Sequence, residues 1–230
     1  TRKESEVFKV MTEYFNQFMP FMLKSTIMVI EIFALTLALS LPLGLPVALG
    51  SNSKIKPIAW LCKAYVFVFR GTPLMLQLWF FYFFFPFVLK VQVSAFLAVI
   101  VAFVLNYGAY FAEIYRGGIN SVDGGQHEAA FALGLTKRQT MLDIILPQTM
   151  KAVLPPIVNE AITLVKDTAL ASVLPIVELM KATNSCVNRM TNMTPFVFAA
   201  ILYLIMTFVL TIIAGKLEKH FSRYDRKEDN

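Results

Sequence analysis

Asn106, Tyr110 and Glu113 are spaced i, i+4, i+7, and Glu160, Thr163 and Asp167 are spaced i, i+3, i+7, so each trio shares one face of a helix. Together they offer an amide, a phenol, a hydroxyl and three carboxylates. Such groups can hold a small polar solute. A nucleophile–base or metal set would need converging Cys or His side chains. The chain has Cys62 and Cys186, 124 positions apart, with His127 and His220. A nucleotide-hydrolysing loop would read G-x-x-x-x-G-K-[ST], so that amides and a lysine hold the phosphates. The single Gly-Lys pair is Gly215-Lys216, followed by Leu217, so this chain is not expected to hydrolyse ATP by itself.

The elements that carry these residues are apolar. The 230 residues are 57% hydrophobic and 16% charged, with a mean hydropathy of +0.63. Residues 32–53, 71–89, 91–112 and 190–215 contain no charge. A helix crosses the hydrocarbon layer in about 20 residues, so each stretch is long enough to span. The runs are continuously apolar, whereas the strands of a membrane β-barrel would alternate. Little sequence remains for a soluble catalytic domain, and no internal repeat is visible. A net charge of +6 reports topology before it suggests nucleic acid. Polar residues 1–9 lead into a stretch too long for a signal-peptide core, so no cleavable signal is expected.

The fold class expected is all-α integral membrane, with about five spans near residues 20–50, 58–87, 94–115, 144–174 and 196–215. Arg70-Gly71-Thr72-Pro73 interrupts the second, and Pro155-Pro156 is expected to break the fourth just before Glu160. The expected division is an outer N-terminal segment 1–19, a transmembrane domain 20–218 and a charged cytoplasmic tail 219–230. Ten Lys/Arg fall on the C-terminal side and six on the other, which favours N-terminus out and C-terminus in.

Between the third and fourth spans lies a polar stretch, residues 120–143. It contains Glu128-Ala129-Ala130, then Gly134, then Ile144-Ile145-Leu146-Pro147. The alanines favour helix, and Gly134 predicts a turn with positive φ. Small residues leave a face that another protein could approach closely; a surface helix lying on lipid headgroups is the alternative.

The spacing Glu-Ala-Ala, three residues, Gly, nine residues, Ile, one residue, Leu-Pro resembles the EAA loop of membrane subunits of ATP-driven (ABC) importers. Arg70-Gly-Thr-Pro73, Ala112-Glu-Ile-Tyr-Arg-Gly-Gly118 and Lys166-Asp-Thr-Ala-Leu170 resemble further signatures of the polar amino-acid branch. The resemblance covers nearly the whole chain. It implies a type I importer architecture in a bacterial plasma (inner) membrane, in which two such subunits, identical or similar, pair around a solute path. Each would dock a separate ATPase through a coupling helix near 121–140, with Glu128, Ala129, Ala130 and Gly134 carrying the coupling. An external binding protein would deliver a polar amino acid. No cofactor is expected in this chain; ATP and Mg would be held by the partner ATPase.

An amino-acid zwitterion needs acceptors for its ammonium and donors for its carboxylate. Glu160 or Asp167 could take the ammonium. Asn106, Thr72 and amides freed at the Gly-Thr-Pro break could take the carboxylate, and Tyr110 adds a hydroxyl and an aromatic wall. Glu113 suits an ion pair with Arg116, one turn away. Arg70 could hold a carboxylate or pin the broken second span, and suits the anchor better. The aromatic run Trp79–Phe85 reads as a lipid-facing belt. A secondary carrier or channel for small polar solutes is the alternative function, although carriers commonly show internal repeats.

Overall fold

The computed structural model describes residues 2–221. Residues 222–230, most of the expected charged tail, lie outside the described residues. The helices are α1 (Arg2–Ser51), α2 (Lys56–Gly71), α3 (Leu74–Phe87), α4 (Ala95–Ser121), α5 (Gly124–Ala132), α6 (Lys137–Gln139), α7 (Leu146–Asp167), α8 (Leu179–Met190) and α9 (Thr194–Phe221). A π-helical turn, Thr140–Ile145, leads into α7, and a 3-10 segment, Thr168–Val173, follows it. Phe18–Ser51, Ala95–Ser121, Lys137–Val173 and Thr194–Lys219 are long and apolar enough to cross a membrane. The broken pair α2 and α3 makes a fifth.

The break in the second span has a local cause. Pro73 disfavours helical geometry at the residue before it, and Thr72 is extended at φ −115°, ψ 145°. Pro73 also lacks the N–H that would bond to the carbonyl of Phe69. The buried Asn106 supplies the missing donor from α4: its Nδ2 donates to Phe69 O at 3.0 Å. The Tyr65 hydroxyl donates in the other direction, from α2 to Leu105 O at 2.5 Å.

One expectation is corrected, and two features are added. Pro155 and Pro156 lie inside α7, which continues through them. Helix α1 begins at Arg2, so the expected N-terminal segment and the first span share one helix. Helix α8 was not expected, since its polar composition gives no span signal.

The described residues form two compact units. One takes the residues up to Leu35, Met75–Ala102 and Leu164–Phe208. Its interior includes Met22, Val29, Ile32, Leu78, Val99, Leu164, Leu174 and Leu179. It also buries Glu178 completely. Glu178 caps α8, accepting from the Met180 and Lys181 amides at 2.7 and 2.6 Å, and the Tyr203 hydroxyl donates to it at 3.3 Å.

The other unit takes Thr36–Leu74, Phe103–Thr163 and the residues from Val209. Phe103, Tyr107 and Phe111 are its large buried side chains on α4. At Gly44 of α1 the helices meet so closely that a Cβ would lie 2.9 Å from Phe111 Cβ and 3.0 Å from the Ala112 amide. A glycine is needed there for close approach.

Two predictions follow from these buried polar groups. Asn106→Leu keeps the branched side-chain skeleton but strands the Phe69 carbonyl, and should cost about 1–3 kcal/mol. Thermal unfolding in detergent reads this; an unchanged midpoint would mean that water satisfies that carbonyl. At Glu178, burial pushes the carboxyl above its usual value, outweighing the two amides, Tyr203 and the Lys181 charge, which favour the anion. The folded state therefore holds this proton more tightly than the unfolded chain, whose glutamates titrate near about 4.3. The stability contribution is full below that value and is lost as pH rises through the folded-state value. Wild-type midpoints should thus fall relative to those of Glu178→Gln over this rise, and parallel curves would refute the assignment.

Candidate functional site

Residues on α2 and α4 build a cavity inside the second unit. Lys63, Phe67 and Arg70 recur along one face of α2, and Tyr110, Glu113 and Arg116 along one face of α4. With Ser51, Val66 and Gly71 they line an open space of about 610 Å³. The Arg70 guanidinium lies over the Tyr110 ring, 5.2 Å from its centre. It approaches Glu113 Oε1 at 3.9 Å. Arg116 grips the same carboxylate with two donors, Nε at 2.9 Å to Oε2 and an Nη2 at 2.5 Å to Oε1. The expected Glu113–Arg116 pair is therefore present.

The structure brings only part of the expected solute set together. Tyr110 lines the cavity. Thr72 stands at the adjoining break, where its hydroxyl donates to Val68 O at 2.8 Å. Asn106 is turned to the Phe69 carbonyl and does not line the cavity. Glu160 and Asp167 are partly buried on α7, outside the lining. Arg70, expected as an anchor, also lines the cavity, as does Lys63, which was not singled out. Their signal in the sequence was the spacing of three cations, Lys56, Lys63 and Arg70, each seven apart along one helix.

The cytoplasmic-loop segment is compact. Asp123 caps α5 by accepting from the Gly125 amide at 2.8 Å. Gly134 takes φ +74°, the left-handed turn expected of it, and ends the helix. Thr136 and Gln139 then form a reciprocal capping box that opens α6. Glu128 and Ala129 are exposed, whereas Ala130 is buried at 3% exposure. Phe131 and Leu133 are 83% and 79% exposed, an apolar pair the sequence reading passed over. The Gln126 side chain accepts from Gln148 Nε2 at 3.2 Å.

Comparison with known proteins gives these features a setting. The family model for the binding-protein-dependent transport system inner membrane component matches residues 40–223. The arginine transport system permease protein ArtQ of Bacillus subtilis (strain 168) is 37% identical over 207 residues, covering 90% of this chain and 94% of that protein. The putative glutamine transport system permease protein GlnP of Rickettsia felis is 37% identical over 213 residues, covering 91% and 98%. A crystal structure of an amino acid ABC transporter with histidines superposes with a TM-score of 0.83. It is 33% identical and covers 93% of this chain and 98% of that one. The fold is that of type I importer membrane subunits, with several apolar helices long enough to cross a bilayer. The chain belongs to the family of binding-protein-dependent transport system inner membrane components.

Proposed function

We propose that the chain is the transmembrane subunit of an ATP-driven amino-acid importer. It forms the solute path as a dimer with an identical or similar subunit. The observation that carries the coupling part is the build of the 123–139 loop, a short helix closed at both ends by its own caps. It presents Glu128, Ala129, Phe131 and Leu133 outward while Ala130 seats it on the chain. Such a preformed knob suits insertion into a cleft of a separate ATPase, which would bind ATP and Mg. Closing and opening of the ATPase pair would bias the spans between two states. An external amino-acid-binding protein would supply the solute, and relatives named for arginine and glutamine transport support that substrate class. The chain would sit in a bacterial plasma (inner) membrane, N-terminus out and C-terminus in.

Within the path, Glu160 and Asp167 would take the solute ammonium and Tyr110 would form a wall. Thr72 and Asn106, tied to carbonyls of α2, would shape the break against which the solute rests. The absence of a nucleotide-binding loop fits a subunit whose partner supplies the hydrolysis.

Glu128→Lys or Gly134→Asp should leave membrane insertion intact and abolish ATP-coupled uptake, because one reverses the exposed charge and the other strains a left-handed turn. Normal uptake by both variants in proteoliposomes with ATPase and binding protein would remove the coupling assignment. Glu160→Gln and Asp167→Asn should each lower uptake at limiting solute by about tenfold or more, the worth of one charge-assisted hydrogen bond. If neither changes uptake, the carboxylates of α7 do not touch the solute.

A further inference from the structure

Helix α5 is seated on the rest of the chain by very little. Only Ala130 among its residues is buried, and one methyl group is a small anchor. A helix of nine residues is also marginal by itself, whatever its caps. A second tie is present. Gln148, in the first turn of α7, donates through Nε2 to Gln126 Oε1 of α5 at 3.2 Å. The same nitrogen donates to Ile144 O at 3.1 Å. Both hydrogens of that amide are thereby engaged, one on each neighbour. Among the described residues this is the only side-chain hydrogen bond between α5 and another helix.

The carbonyl that Gln148 reaches belongs to the π-helical turn Thr140–Ile145. Pro147 explains that turn. It has no N–H for the Asp143 carbonyl, and its ring would crowd that oxygen in an α-helix. The wider turn, in which the Leu146 amide bonds back to Met141 O, avoids the clash. Such turns are rare and concentrate at functional sites. This one lies where α5 packs, with Thr140 and Ile145 buried. Just beyond it α7 is gripped by α4: a Cβ at Gly118 would collide with Val153 Cγ1 and lie 3.3 Å from Thr149 Cγ2. We infer that Gln148 is a positioning residue for coupling, which brackets α5 to the π turn so that the loop and the start of α7 move as one piece. A push on the exposed Glu128, Phe131 and Leu133 then reaches α7, and α4 through the contact at Gly118. Without the bracket, α5 turns about Ala130 and the movement is lost. The inference rests on the coupling reading and deepens it, by naming what passes the movement from the loop to the spans.

The test uses the complete transporter, with its ATPase and binding protein, in proteoliposomes. A radiolabelled mixture of the common L-amino acids is the probe, and solute taken up per ATP hydrolysed is the readout. Gln148→Leu and Gln126→Leu should each lower that ratio by about fivefold, the worth of one net hydrogen bond, while ATP hydrolysis continues. The double variant should be no worse than either single one, because both changes remove the same bond. The conservative variant Gln126→Glu keeps the acceptor oxygen and should keep the ratio. A merely structural role would lower uptake and hydrolysis together and leave the ratio where it was. An unchanged ratio in the leucine variants, or losses that add in the double variant, would overturn the assignment. Gln126 is exposed, so its variants keep the test open if Gln148→Leu fails to assemble. Failure of the coupling reading looks different: Glu128→Lys and Gly134→Asp would then transport normally, whereas failure of this inference alone leaves those two uncoupled.

Discussion

The carbonyl of Phe69 governs the architecture of the polar half of this protein. Inside a bilayer every backbone polar group must find a partner within the protein. Pro73 deprives that one carbonyl of its usual donor, and Asn106 replaces the donor from α4. The bond does more than settle an account at a helix end. Together with the Tyr65 hydroxyl on Leu105 O, it fixes α2 against α4 at two points of opposite polarity. The register so set brings Arg70 over Tyr110 and beside Glu113. Without the break, α2 would run on and Arg70 would sit in mid-helix, with no reason to meet α4 at that height.

Close helix approach elsewhere in this unit serves the same end. Gly44 lets α1 ride against the backbone of α4 at Phe111 and Ala112, immediately before the Glu113–Arg116 pair. The cavity itself lies between α2 and α4, with Ser51 at the end of α1 closing one side. The volume survives because Glu113 is drawn along its own helix toward Arg116 instead of across the gap.

Much of this was legible in the sequence, and what was not has a physical reason. The spans were readable because hydropathy over about 20 residues is a strong signal. The break at Gly-Thr-Pro and the turn at Gly134 were readable because Pro and Gly act on their own backbone. Helix α8 was not: it is polar, and its start depends on Glu178, whose role as a cap is visible only once burial is known. The double proline of α7 misled because loss of N–H donors need not end a helix when the turns on either side hold. The tie of Asn106 to the Phe69 carbonyl was not read, since a side-chain amide suits a solute carboxylate and an orphaned carbonyl equally well. No one-dimensional pattern separates those two.

Satisfaction, then, is what sorts the polar residues of a membrane protein into scaffold and path. Asn106 and Tyr65 are spent on backbone carbonyls, Glu113 on Arg116, and Glu178 on the start of its own helix. Each resolves a local electrostatic demand and would be costly to redirect toward a passing solute. Lys63 and Arg70 instead face the open pocket, Arg70 from the last turn of α2 and within 3.9 Å of Glu113. A chain held in a low-dielectric layer keeps such groups only where water or a ligand meets them.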